Sequence, residues 1–287
     1  MEPRELMLAG VVPGAVAFTV LVGTWLLCLG SKEERQPRWA APLAFAAAYF
    51  PAFYAINPSF EWWPTNATFR MPHAAALLLF LGLYEATSKP THARRRRVVS
   101  LVVFAAVCSF FLIPIHWDDK LQLLLWFGGT LLVWWILSSF LTRQATQNPG
   151  WRIPFMLALV PLAASPVILH GSWGWGALHA GTVTAMCAAA ALSACIITKQ
   201  TIAHGGTTVA LALLMALLLI ALNYANPNPI AVALVLLSPF ALLAKPKRRS
   251  EKTNDWVPVL VQLIAMAIPL GLAVAIAYTT RPEPYAG

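Results

Sequence analysis

The stretch HGGTTVALALLMALLLIAL (residues 204–222) contains no Asp, Glu, Lys or Arg and is long enough to cross a lipid bilayer. Similar apolar segments recur along the whole chain without alternating polar and apolar residues. In lipid only helices and closed barrels satisfy every backbone polar group, and barrel strands require that alternation. The sequence therefore predicts an all-α protein, a polytopic integral membrane helix bundle.

The composition agrees with a membrane location. Hydrophobic residues make up 59% of the 287 residues and charged residues 11%, and the mean hydropathy is +0.68, whereas soluble domains carry roughly 25% charged residues. A water-soluble fold is excluded. We predict a single transmembrane domain over 1–287 with about ten transmembrane helices, near 7–30, 39–57, 71–87, 98–115, 121–142, 153–170, 173–198, 204–222, 229–244 and 256–278.

The basic residues predict an orientation. Five alternate loops (31–38, 88–97, 143–152, 199–203 and 245–255) contain three, five, two, one and five bases, sixteen of the twenty in the chain. The opposite loops and the two termini contain the other four. Because Lys and Arg are retained on the cytoplasmic side, we expect both termini outside, in the plasma membrane and most simply in a bacterial inner membrane.

The net charge of +9 does not indicate nucleic-acid binding, since the bases occupy short loops and not one solvent-exposed face. The densest group, Arg94, Arg95, Arg96 and Arg97, has two interpretations. It binds anionic lipid headgroups of the bilayer, or it only anchors the neighbouring helices on the cytoplasmic side.

Two predicted spans have a recognisable packing pattern. In span 7, small residues recur every four positions at Ala177, Gly181, Ala185, Ala189 and Ser193, which allows neighbouring backbones to approach closely. We therefore predict that span 7 is central and contacts at least two other helices. Span 5, with Trp126, Trp134 and Trp135, is predicted to be peripheral and partly lipid-facing.

Charged residues inside the predicted spans are scarce. Glu85 lies within one turn of the end of span 3, where snorkelling or a pair with Lys89 accounts for it. A role for Glu85 in proton coupling is the alternative. Mid-span polar residues such as Gln262 are expected to hydrogen-bond between helices.

The outer loops contain the candidate ligand-binding residues His116, Asp118, His170 and His179. Neutral imidazoles beside a carboxylate are able to hold a metal or relay a proton. No spacing typical of a metal site or a known catalytic motif accompanies them, so neither a metal nor a cofactor is identified. Helix capping and contact with headgroups is the competing interpretation.

Three functions fit these features. Many prolines, a small-residue helix and few buried charges favour a permease-like protein for a neutral or weakly polar solute. The absence of a soluble domain or catalytic motif also fits a non-catalytic subunit or scaffold of a larger membrane assembly. An enzyme that uses the outer His and Asp residues has the least support.

Overall fold

A computed structural model describes residues 7–28, 37–57, 64, 66, 68–88, 92–116, 119–197, 200–203, 205–244 and 256–280. These residues are largely helical and include no β-strand. Six of their helices are long and apolar enough to cross a membrane. The predicted all-α class is confirmed, and the long apolar helices support a membrane location.

We label ten helical segments of the described chain α1 to α10, counting a π-helical first turn with α1 and a 3-10 segment with α9. They are α1 (Met7–Cys28), α2 (Ala40–Ile56), α3 (Met71–Thr87), α4 (Ala93–His116), α5 (Lys120–Gln147), α6 (Arg152–His170), α7 (Gly174–Ile196), α8 (Gly206–Tyr224), α9 (Pro229–Leu243) and α10 (Trp256–Thr279). The six long apolar helices are α1, α5, α6, α7, α8 and α10.

Two helix ends extend beyond the predicted spans. Helix α4 begins at Ala93 and not near residue 98, and α5 continues to Gln147 and not to residue 142. Arginine is a good helix former, so a helix does not have to end where its apolar stretch ends. The arginines of these two segments therefore stand on helices, with fixed positions relative to each other.

Helix α7 contacts α1, α2, α6 and α8, which confirms its predicted central position. Its small residues permit this packing. A Cβ atom added to Gly14 of α1 would lie 3.6 Å from the Cβ of Ala185, so the two backbones meet across a glycine and an alanine.

Helix α8 is the most enclosed of the six long helices, since 89% of its most apolar 18-residue window is buried by the rest of the protein. It contacts helices on both sides of the bundle, α3, α4, α5 and α7 among them. A helix that is apolar on all faces fits such a position.

Helices α3 and α8 approach most closely at two glycines. A Cβ atom on Gly205, just before α8, would lie 2.1 Å from the carbonyl oxygen of Gly82. Gly205 also has a φ of +85°, a left-handed conformation that glycine adopts without steric cost. This contact holds the start of α8 against the last turns of α3.

Helix α5 is the peripheral one, because only 17% of its most apolar window is buried. Its tryptophans differ, however. Trp135 is exposed, whereas Trp134 is fully buried and stacks on Phe104 of α4 with ring centroids 4.1 Å apart. Trp134 therefore fixes α5 to α4.

The connections gather at two ends of the bundle. At one end the Gly150 amide donates to the Gln200 carbonyl over 2.8 Å, and this end includes the arginines of α4 and α5. We call it the basic end. At the opposite end the Asn228 amide donates to the Thr280 hydroxyl over 3.3 Å.

Candidate functional site

The predicted outer group is described only in part. Asp118 and the side chain of His116 lie outside the described residues. His170, the last residue of α6, lies against Tyr278 of α10, with ring centroids 4.0 Å apart and the ring planes tilted by 59°. His179 belongs instead to a cluster with α2, so the two described histidines have different neighbours.

His179 is fully buried in the first turns of α7. Its Nε2 atom lies 3.0 Å from Nδ2 of Asn57, within hydrogen-bond distance. The ring stacks on Phe53 at 5.1 Å and lies 5.9 Å from the Tyr49 ring. Among the described residues, neither His179 Nδ1 nor the Tyr49 hydroxyl has a hydrogen-bond partner. This environment is an aromatic core with few polar contacts.

No group of three or more His, Cys, Asp or Glu side chains in the described part of the chain is arranged to hold a metal ion. The four-residue outer site stays a prediction, because two of its members lack described side chains. For His179 the structure supports a packing role between α2 and α7.

Among the described residues, Glu85 is the acidic residue that the fold buries. Its side chain is 9% exposed, and the Thr208 hydroxyl of α8 donates to its Oε2 atom. Ser100 of α4 is a second hydrogen-bonding neighbour of this side chain, and Arg96 is a charged one. The prediction that Glu85 snorkels to the surface was wrong, because α8 and α4 cover it. Lys89, the other proposed partner, lies outside the described residues.

Glu85 and Thr208 form the floor of a cleft between α3, α4, α5 and α8, which we call the basic cleft. Its volume is about 640 Å³, within the range of small-molecule sites. Its walls include Arg96, Arg97 and Leu101 of α4 and Trp134, Trp135 and Arg143 of α5. The cleft therefore combines three guanidinium groups, one carboxylate and a mainly apolar far end.

Three of the six hydroxyl groups that line the cleft donate to protein acceptors. Thr208 donates to Glu85, Ser138 to the Trp135 carbonyl at 3.4 Å, and Thr146 to the Thr142 carbonyl at 2.8 Å. The arginines supply the remaining strong donors, five N–H groups in each guanidinium. A molecule in the cleft thus meets mainly cationic donors.

The sequence analysis did not identify this cleft. Thr208 and Arg143 are distant from Glu85 in the chain, and only the packing of α8 and α5 brings them together. One signal was present. Ser138, Thr142 and Thr146 recur every four residues, which places a polar stripe on one face of α5.

A second buried polar contact links three helices. Arg152, at the start of α6, donates to the side-chain oxygen Oε1 of Gln262, and the side-chain Nε2 of Gln262 donates to the backbone carbonyl of Leu242 over 2.7 Å. Gln262 thus hydrogen-bonds between helices, as the sequence predicts, and joins α6, α9 and α10.

Comparisons of this chain with protein families, curated proteins and solved structures find no match.

Proposed function

We propose that this chain is a permease-like protein of the plasma membrane, with ten spans and both termini outside. The observation that carries the proposal is the basic cleft. It runs from the basic end of the bundle to Trp134 and is lined by residues of four helices. Sites between helices, with polar groups at a few fixed points in an apolar wall, are typical of small-molecule binding.

The lengths of the shorter helices support ten spans. Helices α2 and α3 have 17 residues each, the lower end of the range for a transmembrane helix. Segment α9 has nine α-helical and six 3-10 residues. Because a 3-10 helix rises about 2.0 Å per residue against 1.5 Å, α9 reaches about 25 Å, close to the length of the other two.

The contacts between connections support the alternation of loops on which the proposed orientation rests. Gly150 bonds to Gln200, and both lie in loops that the distribution of bases assigns to the cytoplasm. Asn228 bonds to Thr280, and both lie on the side assigned to the exterior. In this arrangement the basic end faces the cytoplasm, and the cleft opens there.

The predicted solute is neutral or weakly polar, since few charges lie within the spans. The basic cleft refines this class. Its lining has three arginines and one glutamate, and the guanidinium N–H groups suit a weakly polar solute that carries hydrogen-bond acceptors.

Uptake into proteoliposomes tests the proposal. Purified protein is reconstituted, and entry of glycerol, urea and butyrate is followed by light scattering after rapid mixing. The proposal expects at least one solute to enter faster than into protein-free liposomes. Ser139→Trp, which places an indole in the cleft, is expected to abolish that difference. Entry rates equal to those of protein-free liposomes for every solute would contradict the proposal.

One observation favours the scaffold function as a second candidate. An apolar groove of about 360 Å³ lies between α5, α8 and α9, lined by residues such as Leu125, Val133, Leu218 and Leu236. An apolar groove at lipid depth also fits a partner helix. Stoichiometric copurification of another membrane protein, lost on Gly129→Trp in the groove, would support this candidate.

A further inference from the structure

We propose that the basic cleft binds an anionic phospholipid of the cytoplasmic leaflet, with its phosphate at the arginines and the first part of its acyl chains at the tryptophan end. The inference rests on the proposed function for the orientation of the bundle and names the ligand class of the same site. It goes beyond a diffuse attraction of lipid to the four consecutive arginines, because only two of them line the cleft.

The charges that line the cleft favour an anionic ligand. Arg96, Arg97 and Arg143 line the cleft together with one acidic residue, Glu85. That carboxylate already accepts a hydrogen bond from Thr208 and interacts with Arg96. An excess of positive charge therefore remains at Arg97 and Arg143, and a phosphate group complements it with charge-assisted hydrogen bonds.

The order of residues along α4 and α5, the two helices that form the walls, favours a phospholipid. On α5 the lining begins at Gln147 and Thr146 and continues through Arg143, Thr142 and Ser138 to Trp135, with Phe140 in between. On α4 it runs from Arg97 through Ser100 to Leu101. From the arginines inward, both walls thus pass from hydroxyl-bearing to apolar side chains, which is the order of groups in a phospholipid.

The length of the cleft and its opening along α5 also fit a phospholipid. Arg143 and Trp135 are eight residues apart, about 12 Å along a helix, which accommodates a headgroup, the glycerol and the first methylene groups. Both side chains are exposed on α5, the least enclosed of the six long helices. A lipid is therefore able to enter sideways from the leaflet and not only from the cytoplasm.

Trp134 provides a further donor. It lines the cleft, it is fully buried, and its indole N–H has no hydrogen-bond partner among the described residues. A buried unpaired donor is costly. A lipid ester oxygen at the apolar end of the cleft is the acceptor that we assign to this N–H.

The test compares two pairs of arginines that differ only in their relation to the cleft. In Arg97→Gln/Arg143→Gln both charges of the cleft mouth are removed. In the control, Arg94→Gln/Arg95→Gln, two charges of the same run are removed outside the cleft lining. Binding of dioctanoyl phosphatidic acid to the detergent-solubilised protein is measured by native mass spectrometry, with dioctanoyl phosphatidylcholine as the neutral-headgroup reference.

We expect the cleft pair to weaken phosphatidic acid binding roughly tenfold or more, since it removes two charge-assisted contacts to the phosphate. The control pair lies outside the cleft lining, and we expect it to change binding less than about threefold. Equal losses of phosphatidic acid binding in both variants would mean that any arginine of this region attracts the lipid, and would overturn the proposal. Unchanged binding in the cleft pair would do the same.

Two further arms keep the result clear. Ser139→Trp leaves all charges and is expected to weaken binding as much as the cleft pair does, so a folding defect of the arginine variants cannot imitate the outcome. Inorganic phosphate at matched concentration is expected not to displace the lipid. Displacement would assign the site to a soluble anion and overturn the lipid proposal.

The two proposals fail in different ways. Selective lipid binding without solute entry into proteoliposomes would contradict the permease function and support the lipid site. Solute entry that Ser139→Trp blocks, without selective lipid binding, would remove only the lipid.

Discussion

At the scale of single residues, the contact between Glu85 and Thr208 shows what a local sequence reading omits. The position of Glu85 near a helix end suggested an exposed carboxylate. Its burial depends on Thr208, which is 123 residues away, and on the close approach of α8 that Gly82 and Gly205 allow. The sequence of span 3 alone contains no information about Thr208 or about the approach of α8.

Replacing Thr208 by valine tests this contact. Thr208→Val keeps the side-chain shape and removes the donor to a buried carboxylate, a change that costs about 1–3 kcal/mol. We expect a lower thermal unfolding temperature in detergent. Thr207→Val is the matched control, because that hydroxyl makes only a 3.4 Å contact with Thr142. If both variants unfold at the same temperature, the Glu85 contact does not stabilise the fold.

The sequence analysis predicts His179 as one of four ligand-binding residues, but its surroundings were not foreseen. The imidazole is enclosed by Phe53 and Tyr49, aromatic residues of a helix 120 or more positions away. Sequence reasoning recognised a residue with useful chemistry, and the packing of α2 on α7 determined its environment.

A pair of substitutions separates packing from polar chemistry at His179. His179→Phe keeps most of the stacking and loses one hydrogen bond, which costs about 1 kcal/mol. His179→Ala also leaves a cavity, and large-to-small changes in a core cost about 2–5 kcal/mol. We expect the alanine variant to be clearly the less stable in detergent. Equal destabilisation would assign the main role to the hydrogen bond with Asn57.

At the scale of helices, the small-residue repeat of span 7 predicted its central place because such spacing has a direct steric consequence. The burial of α8 was not predicted. Its leucine-rich sequence is apolar on every face and fits a lipid-exposed helix as well as an enclosed one. The neighbouring helices determine that α8 is enclosed, since α3, α4, α5 and α7 all contact it.

The junction of α3 and α8 depends on Gly205. In Gly205→Ala the new Cβ meets the Gly82 carbonyl, and alanine is strained at a φ of +85°. We expect a loss of about 3 kcal/mol or more, measured as a lower unfolding temperature or lower yield. Gly128→Ala on α5, where a Cβ meets nothing within 4 Å, serves as the control and is expected to be neutral or stabilising by about 0.5–1 kcal/mol.

The small-residue face of α7 gives a graded prediction. A Cβ atom on Gly181 would lie 4.0 Å from its nearest neighbour, the Ala9 carbonyl oxygen, so Gly181→Ala is expected to be tolerated. Gly181→Leu reaches into the first turn of α1 and is expected to cost about 1–3 kcal/mol by overpacking. Equal thermal stability of the leucine variant and the wild type would mean that this face does not contact α1.

At the scale of the whole molecule, composition was sufficient to predict an all-helical membrane protein. The distribution of bases was sufficient to propose an orientation, since it follows a simple rule of insertion. The basic cleft was beyond prediction because its walls belong to four helices. Their relative rotation is set by tertiary packing, and the polar stripe on α5 alone does not reveal what faces it.

The central claim is that the chain crosses the membrane ten times with both termini outside, so that the basic cleft faces the cytoplasm. Labelling of single cysteines in intact cells tests it most directly, in a variant without Cys28, Cys108, Cys187 and Cys195. A membrane-impermeant maleimide is expected to label cysteines placed at Phe60, Asp118, Ser172 and Asn226, and to leave those at Arg94 and Arg248 unlabelled until the cells are opened. Labelling in intact cells of the cysteines placed at positions 94 and 248, with protection of the cysteines at the other four positions, would contradict the account.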